Sequence, residues 1–286
     1  MKQSICGLKM AGRNSLNWSN VAHGLSYNSR HPAECARRLL QELNIHALPI
    51  QPQNIAKKLE IVIWERDMES QYDGCLMRVG DTWGILINTQ IQSQSRKRFT
   101  IAHELGHYHL DREATGDRRC RGGELGFFNA RGPEEQRANQ FAVELLMPSP
   151  FFQEDAENLP NVGLAAIDAL SARYATSLTS TAIRYTRLSP HNCAIVFSEN
   201  RQIKYFAYSD DFRRNSDCYL VKNKPLHPEA LASSLADTSL NETRDKRGKV
   251  PLSCWCPAKS DRLIIEHSRF LPRINKVVSF LWIPQD

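Results

Sequence analysis

The sequence predicts an α+β chain: helices around a small sheet, a further helical segment, and then a smaller region built mainly of strands. Three observations predict it. Apolar residues recur at helical spacing in stretches such as Ala33, Ala36, Leu39, Leu40 and Leu43. Residues 74–79 and 83–88, rich in apolar and β-forming side chains and separated by Gly80-Asp81, read as a hairpin. After residue 190 the helical period gives way to strand-length runs at 193–198 and 203–208. The expected organisation is therefore a mobile N-terminal extension over 1–31, a first domain with its helical extension over 32–188, and a second domain over 189–286.

The elements follow in order. Pro32 suits the first turn of a helix over 32–43, and the Pro49-Ile50-Gln51-Pro52 segment ends it. A short helix over 53–59 and a buried strand over 61–64 precede the hairpin. Ser93 or Ser95 can cap the next helix, whose stripe holds Phe99, Ala102, His103, Gly106, His107 and Leu110. A polar loop over 111–132 leads to Pro133, where a helix begins, with Ala138, Phe141, Ala142 and Leu145 on its apolar face and Pro148 as its stop. Helices are expected over 165–174 and 178–188, and closing strands over 263–267 and 277–283.

Hydrophobic content of 41% and charged content of 24% are those of a globular protein with real cores, not of a disordered chain. No apolar run is long enough to span a bilayer, and residues 1–30 lack the apolar stretch of a secretory leader. The expected location is the cytoplasm, with the eight cysteines as free thiols. Net charge is +6, of which residues 188–286 carry +4 (15 Lys/Arg against 11 Asp/Glu). There Arg213, Arg214, Lys222, Lys224, Arg244, Lys246, Arg247 and Lys249, with Tyr205, Phe206, Tyr208 and Tyr219, offer charge and stacking for single-stranded nucleic acid. With no nucleic-acid motif beside them, a solvated basic face is the preferred reading.

The chemistry lies in His103-Glu104-Leu105-Gly106-His107. H-E-x-x-H on a helix sets two imidazoles one turn apart on one face, with a carboxylate beside them. Hydrolytic zinc takes three protein ligands and keeps a fourth position for water. His103 and His107 supply two, and Glu104 is placed to take the water's proton. The helix starting at Pro133 offers Glu134 and Glu135; Glu135 shares the packed stripe with Ala138, Asn139 and Ala142, while Glu134 is turned about 100° away. Glu135 is the expected third ligand. Asp111 and Glu113 can orient the imidazoles, whereas Tyr108 and His109 are rotated off the metal face. Cys120, flanked by Arg118, Arg119 and Arg121, is an expected thiolate and a possible inhibitory fourth zinc ligand. Cys254-Trp255-Cys256 reads as packing. Gly106 suits close approach of another backbone or of the substrate, or equally serves as a helix-packing glycine, and the strand over 84–88 can serve either as core or as an edge that recruits substrate.

The run from Arg98 to His107, followed by Glu135-x-x-Ala138-Asn139-x-Phe141-Ala142-x-Glu144-Leu145-Leu146-Met147-Pro148, resembles the ImmA/IrrE family of metallopeptidases. The resemblance covers roughly residues 32–188. It implies a zincin-like domain in which His103, His107 and Glu135 bind Zn2+ and Glu104 is catalytic. It further implies an endopeptidase that cuts a helix-turn-helix repressor after a DNA-damage, phage or mobile-element signal. Several family members carry a GAF-like C-terminal sensor, which residues 189–286 resemble without a diagnostic motif; single-stranded DNA or a small molecule would then be its activator. The competing expectation is a non-cleaving, zinc-stabilised regulator that binds DNA or a partner protein, against which an intact Glu104 argues.

Overall fold

The computed structural model describes residues 31–112, 118–121, 132–215, 218–236, 242–257 and 262–284. Nearly all of the expected N-terminal extension lies outside them. The architecture is mixed α+β. Helices α1 (Pro32–Glu42) and α2 (Pro52–Lys58) each carry proline in the first turn, where a missing N–H costs nothing. Strands β1 (Val62–Arg66), β2 (Tyr72–Val79) and β3 (Thr82–Asn88) precede α3 (Gln94–Asp111). Strand β4 (Arg118–Arg121) follows, within the stretch expected to be loop, and then α4 (Pro133–Leu146), α5 (Ser149–Glu157), α6 (Leu164–Tyr174) and α7 (Leu178–Leu188).

The first sheet has the order β1-β3-β2-β4. Strands β2 and β3 form the expected antiparallel hairpin, with Gly80 at φ +61°, while β1 runs parallel to β3. Two expectations change here. β3 is an inner strand, paired on both sides, so it offers no free edge to a substrate. β1 is the outer strand instead, and for that reason Val62 and Trp64 are exposed rather than buried. Leu76, Ile85 and Ile87 of this sheet pack with Leu39 and Leu40 of α1, Ile101, Ala102 and Leu105 of α3, and Phe141, Leu145 and Leu146 of α4.

The second sheet is built from β5 (Cys193–Glu199), β6 (Gln202–Tyr208), β7 (Arg244–Pro251), β8 (Leu263–Leu271) and β9 (Lys276–Trp282), in the order β6-β5-β9-β8-β7. Short helices α8 (Asp210–Asn215) and α9 (Leu231–Leu235) lie between β6 and β7. Side chains alternate between faces along a strand. In β5, Ala194 and Val196 therefore enter one core, with Phe212, Leu235, Leu252 and Trp255. Cys193, Ile195 and Phe197 enter another, with Phe152, Leu164, Ile167, Leu170, Tyr174 and Tyr185 of α5–α7. β9 divides the same way, Val277 and Leu281 against Val278, Phe280 and Trp282. Both faces are covered, which accounts for the continuous apolar runs in these two strands.

The cysteines depart from expectation. Cys218 and Cys256 form a disulfide across a sequence separation of 38, while Cys35, Cys75, Cys193 and Cys254 are free thiols. Cys256 is thus a tether as well as a packing residue. The expected stacking surface for single-stranded nucleic acid is also divided. Tyr205, Phe206 and Tyr208 lie on β6, whereas Arg244, Lys246, Arg247 and Lys249 lie on β7, at the opposite edge of the sheet. Four inter-strand steps separate those edges, roughly 19 Å.

Candidate metal centre

Helix α3 starts at Ser93, whose hydroxyl accepts a hydrogen bond from the Arg96 N–H at 3.3 Å; of the two expected caps, Ser93 fills the position. The middle of α3 is buried on all sides, because it runs between the first sheet and α4. His103, Glu104 and His107 are each 0% exposed. Helix α4 begins at Pro133 and places Glu134 and Glu135 in its first turn, where carboxylates suit the helix dipole. Glu134 is exposed, while Glu135 is turned toward α3. Gly106 makes this approach possible. A Cβ there would sit 3.0 Å from Ala138 Cα and 3.1 Å from its carbonyl oxygen, so α4 crosses α3 almost backbone to backbone.

The crossing brings three donor groups to one point. His103 Nε2 is 3.0 Å from His107 Nε2 and 3.1 Å from Glu135 Oε2, and His107 Nε2 is 3.3 Å from Glu135 Oε1. The opposite ring nitrogens are held by acceptors. His103 Nδ1–H donates to Asn139 Oδ1 at 2.9 Å, and His107 Nδ1–H donates to Asp111 Oδ2 at 3.2 Å. Arg137 in turn forms an ion pair with Asp111. With the Nδ1 positions donating, both Nε2 atoms of the neutral rings present lone pairs toward each other and toward a carboxylate. Such a set fits a cation: three electron-pair donors, two nitrogen and one oxygen, of the kind that binds zinc.

The electrostatics agree. Burial works to lower the His107 pKa, yet Asp111, Glu135 and Glu104 outweigh it and push the pKa up to about 9. Burial works to raise that of Glu135, and hydrogen bonds to His103 and His107 hold it well below the usual carboxylate range. Both shifts express a pocket that favours positive charge. Glu104 lies under β2, where a Cβ on Gly74 would meet Thr100 Cγ2 at 2.5 Å and Glu104 Oε1 at 3.1 Å. Only glycine lets this strand lie so close over the carboxylate.

The other expected residues are placed as follows. Asp111 reaches His107; Glu113 lies outside the described residues. Tyr108 packs edge-on against Trp83, and His109 stacks on Phe141, both away from the three donors. The backbone of Cys120 pairs with Gly74, beside Glu104; its thiol lies outside what is described. Asn139 and Arg137 were not anticipated as partners of the site. For Asn139 a signal existed, since it lies four residues after Glu135 and so on the same helical face.

Comparison with known proteins gives a domain match and a fold. Residues 56–186 match the family model of the IrrE N-terminal-like domain, peptidase M78. A solved Mycobacterium tuberculosis transcriptional regulator is similar in structure, with a TM-score of 0.52 and 12% sequence identity over 88% of this chain and 76% of that one. At that identity the likeness speaks for the fold alone. No curated protein matches the sequence. The matched segment contains α3, α4 and all three converging donors, so it is residues 56–186 that carry the likeness to the IrrE N-terminal-like domain and support an ImmA/IrrE assignment.

Proposed function

We propose that the protein is a zinc-dependent endopeptidase that cleaves a helix-turn-helix transcriptional repressor at a specific site, derepressing the genes it controls in response to a DNA-damage, phage or mobile-element signal. One observation carries the reading: two imidazole Nε2 atoms and the Glu135 carboxylate converge beside Glu104, a carboxylate not used in holding them. His103, His107 and Glu135 would hold Zn2+, with Asn139 and Asp111 orienting the two rings. The ion when bound supplies Lewis acidity, lowering the pKa of a water to near neutrality and polarising the scissile carbonyl. Glu104 takes the water's proton and delivers it to the leaving amine. Burial beneath β2 keeps bulk solvent from that carboxylate and strengthens its interaction with the proton it carries.

In this reading residues 32–188 form a zincin-like peptidase domain and residues 189–286 a GAF-like sensor, where single-stranded DNA or a small molecule acts as the activator. Cys120 serves as an inhibitory fourth zinc ligand; the pairing of its backbone with Gly74, next to Glu104, supports that role. The chain works in the cytoplasm, in keeping with the finding that no described helix is long and apolar enough to cross a membrane.

The test is incubation with the helix-turn-helix repressor encoded nearest to the gene. Wild type is expected to cut it at one site, and Glu104→Gln to retain zinc and lose at least 100-fold in rate. Cys120→Ser should raise basal cleavage. If Glu104→Gln performs as wild type does in relieving repression, the chain is a non-cleaving regulator and the proposal fails.

A further inference from the structure

A second cluster of metal-ligating side chains lies far along the chain from the first. His227, Glu229 and Cys254 each direct a ligand atom to a common point, all within 4.8 Å of one another. They come from two segments that the fold brings together deliberately. The segment 218–230 is tied to the edge of the second sheet by hydrogen bonds from Ile203 N–H to Lys224 O at 3.0 Å and from Leu226 N–H to Arg201 O at 2.8 Å. Its turn is closed by Ala230 N–H donating to His227 O at 3.0 Å. Cys254 ends a short 3₁₀ turn, Leu252–Cys254. The Cys218–Cys256 disulfide joins the two segments covalently, two residues from Cys254.

From this geometry we infer that His227, Glu229 and Cys254 form a binding site for a divalent transition metal, zinc above all, separate from the peptidase centre. The donor set decides the class. Imidazole and thiolate select zinc and its neighbours over magnesium and calcium, which prefer oxygen alone. Three protein ligands leave a fourth tetrahedral position to water, and the exposure of His227 and Glu229 gives that water and the ion an open route. Cys254 is only 4% exposed, so the sulfur forms the floor of the site.

Binding is balanced simply: as the sulfur–metal bond forms, the Cys254 thiol proton passes to solvent. Burial, Glu229 and Glu266 hold this thiol above its ordinary pKa, a bias that an adjacent cation reverses. The existing hydrogen bond from Glu229 N–H to His227 Nδ1 is long, 3.2 Å, and exposed. Binding exchanges it for a metal–nitrogen bond while water takes up the freed N–H. The inference does not depend on the peptidase reading.

The experiment uses the full chain, stripped of metal and titrated with Co2+, which gives a sulfur-to-cobalt charge-transfer band only where a thiolate binds it. Wild type should take up one equivalent beyond that held by His103, His107 and Glu135, with the band present. In the Cys120→Ser background, where the peptidase centre offers no thiolate, Cys254→Ser should lose the band and that equivalent. His227→Ala, a surface change that leaves the fold intact by circular dichroism, should weaken the equivalent at least 10-fold. Glu135→Ala and Cys120→Ser should leave the band in place. In that background, full uptake with an undiminished band in His227→Ala overturns the inference, as does persistence of the band in folded Cys254→Ser. Loss of the band in Cys120→Ser alone would assign the thiolate to the peptidase centre and overturn it too.

Discussion

At the scale of single residues, the candidate metal centre would depend on side chains outside its three donors. Asn139 and Asp111 hold the two Nδ1 atoms, and without them each imidazole can rotate or shift its proton to Nε2, where it blocks binding. Asn139→Ala should therefore weaken zinc about 10- to 100-fold with little change in fold, as read by competition with a chromophoric chelator. Unchanged affinity would mean that packing alone orients His103. Gly106→Ala is expected to act at a greater distance. Its methyl group has to push the Ala138 backbone outward, carrying Glu135 with it, so zinc affinity should fall more than thermal stability does. The His103-x-x-x-His107 face and the inward turn of Glu135 could be read in the sequence because they depend only on helix periodicity. The pairing of Asp111 with His107, four residues before it, could be read as well, but its pairing with Arg137 could not. Asp111 and Arg137 are 26 residues apart, and nothing local links them.

At the scale of elements, α4 is the shared support. Glu144, 2% exposed, receives Arg37 of α1 at 2.7 Å, Arg184 of α7, and the N–H and hydroxyl of Ser149 at the start of α5. Burial raises its pKa, yet these partners hold it below the usual carboxylate range. The sign follows: this carboxylate adds stability above its unfolded pKa, near 4.3, and the contribution disappears as pH falls through the lower folded value. Glu144→Leu leaves Arg184 buried without its partner and should cost about 3–5 kcal/mol, with a weakened acid dependence of the midpoint in urea titrations at pH 7 and pH 4. An unaltered pH dependence would place the acid-sensitive group elsewhere. Elements with an apolar face were readable in the sequence. One that is not readable is explained by burial: β7 is an edge strand, with Arg244, Asp245, Lys246 and Arg247 exposed, and so shows no alternation. Helix α5 was missed because Pro148 ends α4 and also occupies the N-cap position of the next helix.

At the scale of the whole molecule, one buried core runs across residue 188, although the change of pattern there is plain in the sequence. Val143 and Met147 of α4 lie in the same core as Ile195, Phe197, Val278, Phe280 and Trp282 of the second sheet, with α5, α6 and α7 between them. Arg269 of β8 reaches Asp168 of α6 through Nη1, at 2.8 Å to Oδ1 and 2.7 Å to Oδ2, while its Nε and Nη2 form a bidentate pair with Asp245 of β7. Periodicity reveals that each of these segments has an apolar face; it cannot reveal that the two faces cover one another. Separating the chain at residue 188 would expose that core on both sides. At about 1.5–3 kcal/mol for each large apolar side chain returned to water, five such residues amount to roughly 7.5–15 kcal/mol, comparable with the 5–15 kcal/mol by which a typical protein is stable. A fragment of residues 31–188 should therefore lose its cooperative thermal transition, bind a hydrophobic dye, and fail to hold zinc, while the full chain unfolds in one step. A fragment with a sharp transition and full zinc uptake would show instead that the first core alone, from α1 to α4, is enough to set Glu135 against the two histidines.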